Sequence, residues 1–326
     1  MKKRLISGMR PTGKLHLGHM LGILENWKKL QSTHDCFFMI ADWHALTTGY
    51  RKTDDIPENI REMVLDLLAF GIDPEQATLY VQSHVPEIAE LHLLLSMVIP
   101  VAWLERVPSY KDQIQELGQD IATYGFLGYP LLQTADILIV KGEVVPIGQD
   151  QLPHLELARE IVRRFHHIFG KEIFPEPVAI LSEAPVVPGI DGRKMSKSFD
   201  NSISMSDSPD EIREKIKQTI TDPEKIHKSD PGHPDICNIF FYHRFFSDKA
   251  LIDTVNRTCR SGELGCVADK KQLAEILIDK LASIREKRIK LSQDTSVINK
   301  ILTLGAENAR KRAKETLVQV KEALHL

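Results

Sequence analysis

Lys3 to Met20 reads KRLISGMRPTGKLHLGHM, and this stretch decides the fold. The apolar pair Leu5-Ile6 leads through Ser7-Gly8 into the turn-rich Met9-Arg10-Pro11-Thr12-Gly13-Lys14. Then come His16-Leu17-Gly18-His19 and apolar residues at Leu17, Met20, Leu21, Leu24, Trp27 and Leu30, spaced as one helix face. The order is strand, loop, helix start. Such a junction offers an anion backbone N–H groups and the positive end of a helix dipole. His16 and His19 stand three residues apart on one side of the first turn, and both imidazoles can donate to phosphate oxygens. Gly18 has no Cβ, so a flat base can pack on the backbone there. Taken alone, two histidines near a helix start are equally consistent with solvated polar groups, so the rest of the chain has to decide.

Working outward, residues 35–42 (DCFFMIAD) form a continuous apolar run, the mark of a buried parallel strand. Pro57 to Phe70 has helical periodicity through Ile60, Met63, Val64, Leu67 and Leu68, and Gly71 stops it. Residues 78–82 read as a third strand, 86–98 as a helix, and 100–128 as a helical insertion. Residues 128–138 (GYPLLQTADIL) read as a buried helix, 144–148 as a strand, 152–169 as a helix and 178–181 as the last strand. Strands alternating with helices imply right-handed crossovers and a doubly wound, Rossmann-like α/β sheet. Ligands of such sheets sit at the carboxyl ends of the strands where strand order reverses. The loop after the first strand and the 144–148 strand are expected to be neighbours there. Ser208-Pro209-Asp210-Glu211 starts a helix with a capping serine, and only helices are expected beyond it. In the last, Ala306, Ala309, Ala313, Leu317, Val320 and Leu324 form one stripe. The expected division is 1–205, the catalytic α/β part, and 206–326, a helical part, each with its own core.

A second stretch completes the first. Residues 192–198 read GRKMSKS, a cationic, hydroxyl-rich loop suited to closing over a polyphosphate. The composition adds limits. The 326 residues carry a formal net charge of −3, so nothing marks the whole chain as a nucleic-acid binder. Residues 206–326 hold 22 Lys+Arg against 19 Asp+Glu, which makes this the more RNA-compatible part. Four cysteines, no leader pattern and no membrane-length apolar run suggest a reduced, cytoplasmic setting.

HLGH near the start and KMSKS about 175 residues later resemble the paired signatures of class I aminoacyl-tRNA synthetases. SGMRPTGKLHLGH, ADWHALTT, GYPLLQTADILIV, VVPIGQDQ and GRKMSKS together resemble the bacterial tryptophanyl-tRNA synthetases, more than the related tyrosyl enzymes. The resemblance spans essentially the whole chain. It implies activation of L-tryptophan by ATP with Mg²⁺, transfer to tRNA(Trp), a homodimer, and an anticodon-binding role for residues 206–326. It implies phosphate-handling roles for His16, His19, Lys194 and Lys197. An ATP site is implied at Arg10, Thr12, Gly18, His19, Gly148, Asp150, Lys194, Met195, Ser196, Lys197 and Ser198. A tryptophan site is implied at Ile6, Tyr129, Gln133, Asp136, Val145, Ile147 and Gln151. Asp136 is the side-chain selector in this reading. It lies in an apolar run, where a carboxylate is costly unless a donor meets it, and an indole N–H is donor only.

The chain also departs from the family pattern. Arg10 and Gln133 stand where glutamine and methionine are commoner, and His16 and His19 where many members have threonine and asparagine. One subgroup of the family carries a [4Fe–4S] cluster on four cysteines ending Cys-x₆-Cys-x₂-Cys. Here Cys237, Cys259 and Cys266 remain, but Asp269 takes the fourth position, so an intact cluster is not expected. Two rival readings are a small nucleotidyltransferase, which also uses HxGH, and a non-catalytic RNA-binding relative. The complete KMSKS argues against both, and the long helical C-terminal part against the first.

Overall fold

The computed structural model describes residues 2–181 and 185–326. Five parallel strands form one sheet in the order β3-β2-β1-β4-β5. They are β1 Arg4–Met9, β2 Asp35–Ile40, β3 Ala77–Val81, β4 Val144–Ile147 and β5 Val178–Leu181. Strand order reverses between β1 and β4, so the expected neighbours do meet, with Leu5 beside Val144. Successive side chains of the central strands alternate between two apolar cores. Leu5, Cys36, Phe38 and Ile40 enter one, and Ile6, Phe37 and Met39 the other. A strand buried on both faces has no polar side, which is why residues 35–40 lack the alternation of a half-exposed strand.

The first helix runs from Leu17 to Leu30, with a π-type stretch at Met20–Leu24. Ile56–Phe70 ends at Gly71, whose φ of 115° belongs to the left-handed region. The 100–128 segment is helical in short pieces: Val101–Glu105, Pro108–Leu117 and Tyr124–Leu127. Ser208 caps Pro209–Gln218 in a full capping box with Glu211.

The helices beyond residue 205 share both cores with the sheet, where the sequence suggested separate ones. Leu273, Leu277 and Leu281 of Cys266–Ser292 pack in the core of Leu5 and Phe38. The last helix, Thr295–Leu324, crosses the edge strand β3. Ile298 and Leu302 join one core, and Ala309, Ala313, Leu317 and Val320 the other. Gly305 marks the crossing, since a Cβ there would stand 1.9 Å from the Leu79 carbonyl oxygen. The small residues of the stripe bring the helix against the sheet and cover an edge otherwise open to pairing.

Candidate active site

The loop after β1 and the KMSKS loop meet above the carboxyl ends of β1 and β4. Main-chain bonds enforce this. Leu17 N–H donates to the Ile203 carbonyl at 2.9 Å, and Met205 N–H to the Leu15 carbonyl at 2.9 Å. Asn201, 1% exposed, accepts from Ser196 N–H at 2.8 Å and donates to Asp191 at 2.7 Å, which fixes the KMSKS turn. Lys197 then reaches across and donates through Nζ to the Thr12 carbonyl. Ser196 and Ser198 hydroxyls pair at 2.8 Å, and Met195 is buried beneath Gly18. The Lys194 carbonyl accepts from Asn201 Nδ2 at 3.2 Å, but its side chain is exposed, with no hydrogen bond or ion pair among the described residues.

His16 and His19 cap the first helix. Gly18 N–H donates to His16 Nδ1 at 3.1 Å, and His16 N–H donates to His19 Nδ1 at 3.2 Å. Each Nδ1 is therefore an acceptor, an assignment made from the hydrogen bonds, and each ring's proton sits on Nε2. The rings lie 3.8 Å apart. Burial, with His19 and Lys197 nearby, lowers the His16 pKa to about 3. Burial and then Lys197 lower that of His19 to about 4. Both rings are neutral at pH 7, so they serve as N–H donors, not as cations. Lys197 falls to about 8, chiefly through burial, with Lys14 adding to the fall and Asp66 and Glu62 opposing it.

At the other end of the site, Asp136 on Tyr129–Ile139 is 3% exposed. The run that carries it is apolar, but its immediate partners are polar. His44 Nε2 meets Oδ2 at 2.8 Å, and Gln82 Nε2 donates to Oδ1 at 2.8 Å. Gln82 is fully buried, and its own oxygen accepts from Trp43 and His44 N–H groups. Burial raises the Asp136 pKa, with the His44 and Gln82 bonds pulling the other way. Two of the four lone-pair directions of a carboxylate are thus taken, and two remain for a further donor.

Tyr129 stands in a hydroxyl–imidazole triangle with Ser109 at 2.5 Å and His154 at 2.9 Å. Gln151 donates to Asp150 at 2.8 Å, and a Cβ at Gly148 would crowd Asp150 at 2.6 Å. Arg10 donates to Thr48 at 3.3 Å, and its charge acts on Tyr129. Ile6 on β1 and Val145 on β4 are buried in one core, while Gln133 and Ile147 are partly exposed. The sequence reading missed Gln82, His154, Ser109 and Asn201. His44 lay in a quoted stretch without a role. Gln82 carried one signal, a polar residue closing the apolar run read as the third strand.

Cys237, Cys259 and Cys266 stand close enough to Asp269 for their charges to act on one another. The Asp269 carboxylate faces His243 Nε2 at 3.1 Å. Burial raises the Cys237 and Cys259 thiol pKa values, which disfavours the thiolates a cluster needs. These residues do not fit a four-thiolate cluster. No group of three or more His, Cys, Asp or Glu suited to a metal ion occurs among the described residues.

Known proteins share this fold. The profile of class I tRNA synthetases (W and Y) matches residues 2–282. The tryptophan–tRNA ligase of Thermotoga maritima is 47% identical over 99% of both chains. That of Aquifex aeolicus is 42% identical, over 99% of this chain and 100% of its own. The tryptophanyl-tRNA synthetase of Campylobacter jejuni, solved with ADP and tryptophan, superposes with a TM-score of 0.90 at 34% identity, covering 99% of this chain and 100% of its own. The chain belongs to the class I tRNA synthetases of the tryptophan and tyrosine family. Within it, the activity is tryptophan–tRNA ligation, in which ATP activates L-tryptophan and the tryptophanyl group passes to tRNA(Trp).

Proposed function

We propose that the two signatures hold the nucleotide and the Asp136 cluster holds the indole. The observation that carries this reading is the Lys197–Thr12 contact, which joins the two signatures over the switch point. In the first step a tryptophan carboxylate oxygen attacks the α-phosphorus of MgATP, and the bond to the bridging oxygen breaks to release pyrophosphate. In the second, the 2′-hydroxyl of the terminal tRNA adenosine attacks the acyl carbon, and AMP leaves. No protein nucleophile is needed, so the site works by positioning and by stabilising charge. His16 and His19 donate Nε2–H to the triphosphate. Lys197 neutralises the departing pyrophosphate, and Lys194 joins it from the exposed side once ATP is bound. Ser196, Ser198 and Met195 shape that loop, and Arg10, Thr12, Gly148 and Asp150 border the nucleotide. Mg²⁺ enters with ATP and is held mainly by phosphates and water.

Asp136 accepts the indole N–H through its free lone pairs, while His44 and Gln82 orient the carboxylate and oppose the upward pull of burial on its pKa. Tyr129 and Gln151 receive the amino-acid ammonium group, and Ile6, Gln133, Val145 and Ile147 line the side-chain slot. Residues 206–326 form the anticodon-binding part. The exposed Leu93, Met97 and Val101 offer an apolar stripe for a second copy of the chain. Among the described residues no helix is long and apolar enough to cross a membrane. The chain is a member of the cluster-bearing subgroup that has lost its fourth thiolate, and protein purified without oxygen is expected to hold no stoichiometric iron.

A tryptophan analogue with sulfur replacing the indole N–H tests the indole end. Asp136→Ala removes a hydrogen bond to a charged group, on the order of 1.5–3 kcal/mol. Tryptophan affinity then falls about ten- to a hundredfold. Wild type discriminates against the analogue, and Asp136→Ala does so much less. Equal discrimination by both proteins, or faster pyrophosphate exchange with tyrosine than with tryptophan, defeats the assignment.

A further inference from the structure

Asp66 has no part in the scheme above, yet it is fully buried within reach of the site. It lies on Ile56–Phe70, and its Oδ2 accepts from Leu15 N–H at 2.5 Å, one residue before His16. The Leu15 carbonyl is also taken, by Met205 N–H at 2.9 Å and Ser204 Oγ at 3.2 Å. Leu15 is therefore clamped from both sides, by Asp66 below and by the segment after KMSKS above. The other Asp66 oxygen accepts from Arg288 Nη1 at 2.6 Å. Arg288 belongs to Cys266–Ser292, and its Nη2 donates to Glu62 at 2.5 Å. The guanidinium is only 11% exposed. Burial pushes the Asp66 carboxyl up to about 6, while Arg288 and Leu15 N–H pull it back, so it is ionised at neutral pH.

Stability is a weak reason for a buried carboxylate and two nearly buried charges here. A buried ion pair is often no better than apolar residues of the same volume. Leu273, Leu277 and Leu281 already hold this helix to the core. What the charges add is a fixed point on the main chain of the first signature, tied to a helix 222 residues further on. We propose that Asp66 and Arg288 are positioning residues for adenylate formation. Through Leu15 they set where His16 and His19 stand against Lys197, and they make that geometry depend on the C-terminal helices. This rests on the phosphate-handling role proposed for the two signatures.

The test uses the full-length enzyme, tryptophan-dependent ATP–pyrophosphate exchange and thermal melting, with Arg288→Met, Arg288→Lys and Lys197→Ala side by side. A misplacement of about an ångström can cost roughly a hundredfold in rate. Arg288→Met is expected to lower kcat by about tenfold or more. The KM for tryptophan stays within about twofold, because the Asp136 end draws on residues that do not touch Leu15. Arg288→Lys keeps a charge beside Asp66 but loses the fork to Glu62, so kcat falls by less, again at constant KM for tryptophan. It carries the test if Arg288→Met does not fold. Wild-type kcat in either variant that folds, or a KM for tryptophan that rises in step with the fall in kcat, overturns the inference. If Lys197→Ala also leaves exchange unchanged, the reading of the signatures has failed; if only the Arg288 variants do, this inference alone has.

Discussion

The two ends of the site are built in opposite ways. The phosphate end is made of main chain and two short sequence motifs that meet late, through Leu17 to Ile203 and Lys197 to Thr12. The proposed indole end is made of buried and half-buried side chains from five segments: Asp136, His44, Gln82 and the triangle of Tyr129, Ser109 and His154. A group that moves away with pyrophosphate calls for donors that can close and open. A side chain to be selected calls for a carboxylate whose direction is fixed before the substrate arrives. The first end should therefore govern rate, and the second affinity and choice.

The sharpest way to break that contrast is Lys197→Ala. Removing one preorganised group that stabilises transition-state charge costs about a hundred- to a thousandfold in rate. Single-turnover adenylate formation is expected to fall on that scale, while tryptophan binding, measured by equilibrium titration, hardly changes. Equal losses in both would mean that the two ends are one energetic unit. The Asp136→Ala change is the converse, a loss of affinity about ten- to a hundredfold with ATP binding unaltered.

How much of this was legible in the sequence follows from the same contrast. The sheet, the crossovers and the two signatures that meet at the switch point were readable because their signals are local: an apolar run, a glycine in a helix start, KMSKS. Asp136 was readable as a buried carboxylate in GYPLLQTADILIV. Its partners were not, since His44 and Gln82 lie 92 and 54 residues away and nothing in their local pattern points to it. The shared cores were hidden for a related reason. The stripe Ala306 to Leu317 announces a buried helix face, but not that Gly305 lets it lie across β3.

A smaller effect separates charge from shape at the phosphate end. Because burial brings Lys197 to about 8, its charge in the free enzyme is lost as pH rises through that value. The value of kcat/KM for ATP reports groups of the free enzyme, so it should fall about tenfold per pH unit above this point. In Lys197→Arg the guanidinium keeps its charge at every accessible pH. The variant is expected to be slower but flat from pH 7 to about 9.5. An alkaline fall retained in the arginine variant assigns it to another group.

The smallest expected effect is the most telling about the indole end. Gln82 is fully buried and makes contacts in two directions: its amide donates to Asp136, and its oxygen accepts from Trp43 N–H at 3.1 Å. It therefore aims the carboxylate and holds the start of Asp42–Gly49, the helix that carries His44. Gln82→Met keeps the length of the side chain and removes all three bonds, to Asp136 and from the Trp43 and His44 N–H groups. Asp136 keeps His44 as a partner but is less firmly aimed. Losing a hydrogen bond of this kind is worth about 1–2 kcal/mol, so tryptophan affinity should fall about five- to thirtyfold at most, less than for Asp136→Ala. ATP parameters should not move. The decisive measurement is the double variant Gln82→Met with Asp136→Ala. If Gln82 acts on the substrate through Asp136, its effect on tryptophan affinity vanishes once the carboxylate is gone, leaving a coupling of about 1 kcal/mol or more. If the two losses simply add, Gln82 holds the fold and not the selector, and the indole end is less preorganised than its hydrogen bonds imply.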